Sequence, residues 1–227
     1  MRWIIGMISA VVITTQASAV GLEDLSNKDA VGGLKAALTQ AADTAVGELG
    51  MENGFFSNPK VKIPLPSTLK KAEKAMHMFG MGDQADELVL RMNRAAEAAV
   101  PEARALLTDA VKNMSVQDAK DILTGGDNAA TQYFKKTTSG PMAEKFLPIV
   151  KKATEDVQLA QQYNQFAEAG AKFGVVKKDQ ASLEQYVTQK TLDGVYTMMA
   201  EEEKAIRKDP MGQASSLIKK VFGAVGK

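Results

Sequence analysis

The side chains best placed to do chemistry are polar residues that the helical period puts on otherwise apolar helix faces. Glu202 lies between Met199 and Ile206 on one such row, so its carboxylate is predicted to point toward the core. Asn93 and Asn164 occupy comparable positions on two other helices. A buried carboxylate without a partner costs several kcal/mol, so these groups need partners in the chain or in a ligand.

Two interpretations of the inward polar residues remain open. In the first, they form a satisfied structural network in which Glu202 pairs with Arg94 or Arg91 of a central helix. In the second, they line a pocket in which Glu202 or Glu97 acts as a general acid, because apolar surroundings raise the pKa of a carboxyl group. The candidate binding residues are Asn93, Arg94, Glu97, Asn164 and Glu202, and the sequence assigns no catalytic residue.

Composition excludes several classes of site. The chain has no cysteine and a single histidine, His77, which falls off the apolar stripe of its segment and is expected on the surface. A Ser-His pair, a cysteine nucleophile and the usual zinc ligand sets are therefore not available, so we predict neither metal nor cofactor. Without Arg2 the chain has 27 basic and 27 acidic residues, and this balance argues against a nucleic-acid partner.

The loop Thr124-Gly125-Gly126-Asp127 precedes a predicted helix and has the composition of an anion-binding turn. Asp127 argues against that function, because its carboxylate would itself cap the helix and occupy the anion position. No Lys-Ser or Lys-Thr pair follows, as a phosphate-binding loop requires. We therefore expect a plain connection capped by Asp127.

The N-terminal segment predicts export. Arg2 precedes an apolar run from Ile4 to Ile13, and Ala17-Ser18-Ala19 forms a small-x-small cleavage signal. The apolar run is too short to span a bilayer comfortably. Residues 1–19 are therefore predicted to be a signal peptide, and residues 20–227 a single periplasmic domain that begins after cleavage at Ala19.

Helical periodicity dominates residues 20–227, which predicts an all-α fold, a multi-helix bundle with kinked central helices. Residues 51–66 break the period: Asn53-Gly54 and Asn58-Pro59 are turn signals, and prolines forbid a central strand. This segment, here called the strap, is expected to be extended and to lie across the helices. An amphipathic helix over residues 213–225 is expected to close the chain.

The helix boundaries follow from glycines, prolines and capping residues, among them the predicted capping boxes of Ser115 with Asp118 and of Ser182 with Gln185. We expect a break or kink at Pro101, a new helix after Gly140-Pro141, and a local kink at Pro148. The predicted helices are 29–49, 67–80, 83–114, 115–123, 128–138, a long one from 142 to at least 167, 182–208 and 213–225.

Five separated strings give the chain a family resemblance. It resembles the bacterial family known as domain of unknown function 4197, over nearly the whole predicted mature chain, from about Gly32 to Phe222. The family implies export and helical structure, but it implies no activity and no catalytic residue. The strings are Ile63-Pro64-Leu65-Pro66, Met92 to Ala98, Asp118 to Leu123, Ala129 to Phe134, and Glu201 to Arg207.

The favoured function, reached by elimination, is a non-enzymatic exported protein that binds a protein, peptide or apolar ligand in a groove beside the strap. The alternative is a hydrolase of cell-wall glycan that uses a single glutamate as acid, with Glu97 or Glu202 as the candidate. A stable membrane anchor is not expected, because the apolar face of the last helix is short despite Lys219 and Lys220.

Overall fold

The computed structural model describes residues 27–67, 69–70, 77–78, 80, 82–172 and 182–225. The predicted signal peptide lies outside these residues, as does most of the predicted helix from Ser67 to Gly80. His77 is described, and it is exposed as expected. The described chain is all-α and contains no strand, which confirms the predicted fold class.

The described helices follow one another along the chain. None of those described is long and apolar enough to cross a membrane. The helices are α1 (Asn27–Leu49), α2 (Gly82–Ala99), α3 (Ala103–Lys112), α4 (Val116–Thr124), α5 (Ala129–Thr154), α6 (Gln158–Lys172), α7 (Leu183–Lys208) and α8 (Ser216–Val225), with a 3-10 turn (Val100–Glu102) between α2 and α3.

The core is formed where α5 packs against α2 and α7, and α1 covers α7 and α8 on another side. Ala95, Ala96 and Ala99 on α2 are fully buried, so this helix contributes small side chains that let its neighbours approach closely. Phe134 and Phe146 of α5 fill the space between the helices and are also fully buried. Each such ring contributes a few kcal/mol of hydrophobic stabilisation, at about 25 cal/mol per Å² of buried surface.

Pro101 divides the central helix as predicted. The 3-10 turn begins one residue before it, and the helix resumes at Ala103. A proline ring lacks an N–H and clashes with the carbonyl four residues earlier, which explains the interruption.

The predicted break at Gly140-Pro141 is wrong, because α5 runs through both Pro141 and Pro148. Gly140 lacks the Cβ through which a proline in part disfavours helical conformation at the preceding residue, but Leu147 before Pro148 has one, so this reason applies to Pro141 alone. The predicted continuation to residue 167 is also wrong, since α5 ends at Thr154. Glu155 and Asp156 then precede the N-terminus of α6, where the helix dipole favours negative charge.

The strap is only partly extended. Residues 51–61 fold into successive turns, with the amide of Ser57 donating to Asn53 and that of Lys62 to Asn58. Asn53 adopts a left-handed conformation, with φ of 69°. Residues 62–66 are extended as predicted, with Ile63 and Leu65 buried and Lys62 and Pro64 exposed. The prediction of extended chain is therefore wrong for residues 51–61, which form turns.

Candidate functional site

The amide of Asn93 on α2 holds the extended half of the strap. Its Oδ1 accepts from the backbone N–H of Ile63 at 2.8 Å, and its Nδ2 donates to the carbonyl of Ile63 at 2.9 Å. The same Nδ2 also donates to the carbonyl of Val89, one turn earlier on α2. Asn93 is fully buried, as predicted, and it pairs with one strap residue much as a neighbouring β-strand would.

Glu97, one turn further along α2, holds the turn region of the strap. Its Oε1 accepts from the N–H groups of Phe55 and Phe56, both at 3.0 Å, and its Oε2 accepts from Arg94 at 2.5 Å. Arg94 also contacts Glu52 and Asn53. The carboxylate is nearly inaccessible to solvent, with its charge balanced by Arg94 and two backbone amides.

Helix α7 contacts the other side of the strap through a hydrogen bond and a packing contact. The hydroxyl of Tyr186 donates to the carbonyl of Pro64 at 3.0 Å, and burial, with a smaller effect of Tyr163, raises the pKa of Tyr186 to about 12. Phe55 packs directly on Gly194, where an added Cβ would lie 2.6 Å from the ring. The strap is therefore bound between α2 and α7 as a peptide segment of the protein itself.

The predicted burial and arginine pairing of Glu202 are wrong. Glu202 is half-buried, and its pKa is raised by desolvation and by the nearby carboxylates of Glu48 and Glu201. Arg94 pairs with Glu97 and Glu52, while Arg91 lies 3.6 Å from Glu87.

The buried carboxylate of this helix is that of Glu203, the next residue. It accepts from the N–H groups of Ala130 and Thr131 at 3.0 and 2.9 Å and from the Thr131 hydroxyl at 2.9 Å. Arg207, one turn later, donates to it through Nε and Nη2. The same Nη2 donates to the carbonyl of Ile122 near the end of α4. The Glu203–Arg207 pair therefore links α7 to the N-terminus of α5 and to the C-terminal end of α4. The helix dipoles favour this placement, with the carboxylate at an N-terminus and the guanidinium near a C-terminus.

The expected capping role of Asp127 is also wrong. The N-cap residue of α5 is Asn128, whose side chain makes no capping hydrogen bond, and the free amides of the first turn are taken by Glu203. A carboxylate from another helix thus occupies the place where an anion would bind. The sequence signal for this arrangement is the Glu203–Arg207 spacing of four residues beside a buried row.

Asn164 of α6 forms hydrogen bonds with the first residues of α7. Its Oδ1 accepts from the N–H of Leu183 at 2.7 Å, and its Nδ2 donates to the carboxylate of Glu184. It complements Ser182, the N-cap residue predicted from sequence, which accepts from the amide of Gln185. Of the five candidate residues, the structure joins Asn93, Arg94 and Glu97 beneath the strap, while Asn164 and Glu202 bond to neither that group nor each other.

Space for a ligand differs sharply between the interior and the surface. A pocket lined mostly by buried residues, beside Glu203 and Phe222, measures about 10 Å³, barely enough for one water molecule. Open grooves of about 370 to 460 Å³ lie along α5, where it faces α3 and α4 on one side and α7 on the other. Within the described residues, no three histidine, aspartate or glutamate side chains cluster closely enough to hold a metal ion.

Comparison with known proteins identifies a family but no function. The family model described as "Protein of unknown function (DUF4197)" matches residues 24–223. Neither the curated proteins nor the solved structures include a significant match to this chain.

Proposed function

Because the chain belongs to the DUF4197 family of proteins of unknown function, we propose its role from its own geometry: it is an exported, non-enzymatic binding protein of the periplasm. Its partner is a protein, peptide or apolar ligand that occupies an open groove between helices. The strap is part of the framework that shapes this surface.

The observation that carries the proposal is the saturation of both buried glutamates by the chain's own donors. Glu97 accepts from two backbone amides and one arginine. Glu203 accepts from two backbone amides, one hydroxyl and two arginine nitrogens. A general acid must reach the substrate atom that it protonates, and these carboxylates are enclosed by the groups that they bind.

A glycan hydrolase is supported less well. Glycosidases usually place two carboxyl groups about 5 to 10 Å apart across the scissile bond, one of them free to donate a proton. Glu97 is closed in by the strap, which leaves Glu202 as the candidate acid. The raised pKa of Glu202 comes from burial and from Glu48 and Glu201, and like charges of this kind also occur on ordinary helical surfaces.

The grounds for export are Arg2, the apolar run up to Ile13 and the small residues ending at Ala19. With no cysteine in the chain, the exported form has no disulfides, and its stability comes from packing. N-terminal sequencing of the exported form should begin at Val20. Recovery of an intact Met1 terminus in the membrane fraction would contradict export as a soluble protein.

The binding function is tested by chemical cross-linking in intact cells, followed by purification of the tagged mature protein and mass spectrometry of bound molecules. The expected result is a defined ligand that rebinds the purified protein with one-to-one stoichiometry in a calorimetric titration. A second exported helical protein with the same tag is the control. Absence of any saturable ligand, together with release of soluble fragments from purified cell-wall glycan, would refute the proposal.

A further inference from the structure

Residues 51–58 of the strap, here called the strap turn, contain Asn53-Gly54, the only Asn-Gly pair in the chain. We propose that this pair is a site of spontaneous deamidation that is closed in the folded protein and opens only when the strap turn leaves α2. The modification therefore marks molecules whose strap has been released. This inference goes beyond the proposed binding function and does not depend on it.

The reaction needs only the chain and water. The backbone nitrogen of Gly54 loses its proton and forms a bond to Cγ of Asn53, while the bond from Cγ to Nδ2 breaks and ammonia leaves with that proton. Glycine favours this step, because it has no Cβ to obstruct the attack. One water molecule then opens the cyclic imide at either of its carbonyl carbons. Opening at Cγ gives aspartate, and opening at the main-chain carbon gives isoaspartate, in which the backbone runs through the side-chain carbons.

The turn geometry keeps the reacting atoms apart. Asn53 is the third residue of a turn closed by the N–H of Gly54, which donates to the carbonyl of Met51 at 3.0 Å, and its φ is 69°. This is the arrangement of a type II turn, in which ψ of the third residue is about 0° and the next nitrogen lies about 120° away from that residue's Cβ. The imide is a five-membered ring, which requires this nitrogen and Cβ to be nearly eclipsed. The folded turn must therefore open before Gly54 can attack.

Contacts on both sides of the peptide bond oppose this rotation. The Oδ1 of Asn53 accepts from Nη2 of Arg94 at 3.0 Å, which holds the side chain against α2. Gly54 packs closely on the end of α1, where an added Cβ would lie 2.4 and 2.6 Å from the carbonyl oxygens of Glu48 and Leu49. The block is conformational and does not depend on access of water, since Asn53 is exposed.

Glu97 keeps the strap turn closed. Its carboxylate accepts from the N–H groups of Phe55 and Phe56, and the ring of Phe55 is fully buried against Gly194. Gly54 is therefore fixed through the next residue, and the strap turn leaves α2 only if these bonds break. The observed rate of deamidation is then the rate in the open turn multiplied by the fraction of molecules that are open.

The two products differ in whether the strap turn can return to α2. Aspartate in place of Asn53 keeps the shape of the side chain and gives Arg94 an additional negative partner beside Glu52. Isoaspartate adds one methylene group to the backbone before Gly54, about 1.5 Å of additional chain. The close packing of Gly54 leaves no room for it, so the next two amides cannot both reach Glu97. The isoaspartyl form therefore stays open.

The test follows the tryptic peptide of residues 36–60 by mass spectrometry in the mature protein, residues 20–227, kept at mildly alkaline pH. The same protein unfolded in guanidinium chloride gives the reference rate. We expect the folded wild type to react at least roughly tenfold more slowly than the unfolded protein. Asn58 in the same peptide is the internal control, because it precedes Pro59, whose nitrogen carries no hydrogen and cannot form the imide.

Two matched variants separate release of the strap turn from global unfolding. Glu97→Gln removes the charge that holds the amides of Phe55 and Phe56, and it should accelerate the reaction roughly ten- to a hundredfold, the effect of weakened hydrogen bonds to a charged group. Glu203→Gln makes the same change in the other buried carboxylate, which bonds to α5 and not to the strap. It should leave the rate unchanged under conditions in which both variants are folded. Arg94→Ala, on a partly exposed side chain, should also accelerate the reaction, and it tests the same step if Glu97→Gln does not fold.

The fate of the strap turn is tested on the products themselves. Asn53→Asp makes the aspartyl product directly and should melt like the wild type. The isoaspartyl protein, isolated by ion exchange after ageing, should melt at a lower temperature because Phe55 no longer packs on Gly194.

Three results would overturn the inference. The first is a rate in the folded wild type equal to or above the rate in the unfolded protein, which would mean that Arg94 activates the amide of Asn53. The second is equal acceleration by Glu97→Gln and Glu203→Gln, which would assign the opening to global unfolding. The third is an isoaspartyl protein that melts like the wild type, which would mean that the strap turn returns to α2.

Discussion

Replacing Glu203 by glutamine should destabilise the protein severely, although the shape of the side chain is kept. All five hydrogen-bond partners of the Glu203 carboxylate are donors in the native arrangement, and the amide of a glutamine has only one acceptor oxygen. Its NH₂ group would face the backbone N–H groups of α5 or the guanidinium of Arg207. The change therefore removes the charge that balances Arg207 and places donor against donor.

The magnitude follows from burial. The side chains of Glu203 and Arg207 are 5% and 12% exposed, so solvent screens this pair little. Removing one partner of a buried ion pair costs about 3 to 5 kcal/mol. For a domain of this size, about 1 kcal/mol shifts the melting temperature by roughly 2–4 °C, so Glu203→Gln should melt roughly 6–20 °C below the wild type.

Urea unfolding followed by circular dichroism at 222 nm is the assay, because the slope also reports whether the folded state remains compact. Glu202→Gln is the matched control: it makes the same chemical change one residue earlier, on a half-buried side chain that faces two carboxylates. It should leave stability unchanged or slightly higher. If Glu202→Gln is the more destabilised variant, the assignment of the structural carboxylate to Glu203 is refuted.

Two further predictions concern the strap and the capping box of α4. Gly194→Ala should destabilise the protein by about 1–3 kcal/mol in the same assay, because the added Cβ would lie 2.6 Å from the Phe55 ring. Gly47→Ala is the control: Gly47 has open space around it, so this change should stabilise the helix by about 0.5–1 kcal/mol. Equal effects of the two changes would contradict the packing of Phe55 on Gly194. Hydrogen bonds from the side chain and the backbone of Ser115 lower the pKa of Asp118 below its ordinary value of 3.8. The ionised carboxylate therefore stabilises the folded protein above pH 3.8, and this stabilisation is lost as the pH falls through the lowered pKa. Asp118→Asn should therefore be less stable than the wild type at pH 7 and indistinguishable from it at acidic pH, and a difference that persists in acid would exclude ionisation as the cause.

Local chemical signals predicted much of the fold. Ser115 with Asp118 specifies a capping box, Ser182 caps α7, and Pro101 divides the central helix, because each of these effects depends on residues within one turn. Asn93 was also predicted correctly as buried, since its neighbours on α2 are apolar over several turns. These features need no knowledge of which helices meet.

The errors arose where partners are distant in sequence. Glu202 and Glu203 lie roughly 50° on either side of the line from Met199 to Ile206, at 100° per residue, so the helical period cannot tell which one is buried. Glu203 is the buried one because its carboxylate accepts hydrogen bonds from the free amides at the N-terminus of α5, more than 70 residues away in sequence. The same long-range contact made Asp127 unnecessary as a cap. The pair Gly140-Pro141 misled the prediction differently, because it predicts a helix break at a place where α5 continues.

The central claim is that this protein binds without catalysis and that its inward carboxylates maintain the fold. Its most direct test is release of soluble fragments from purified cell-wall glycan by the mature wild type and by Glu202→Gln, each checked by thermal melting. We expect no release above the buffer control from either protein, and equal or slightly higher stability for Glu202→Gln. Release by the wild type that disappears in an equally stable Glu202→Gln variant would contradict the account and establish the hydrolase alternative.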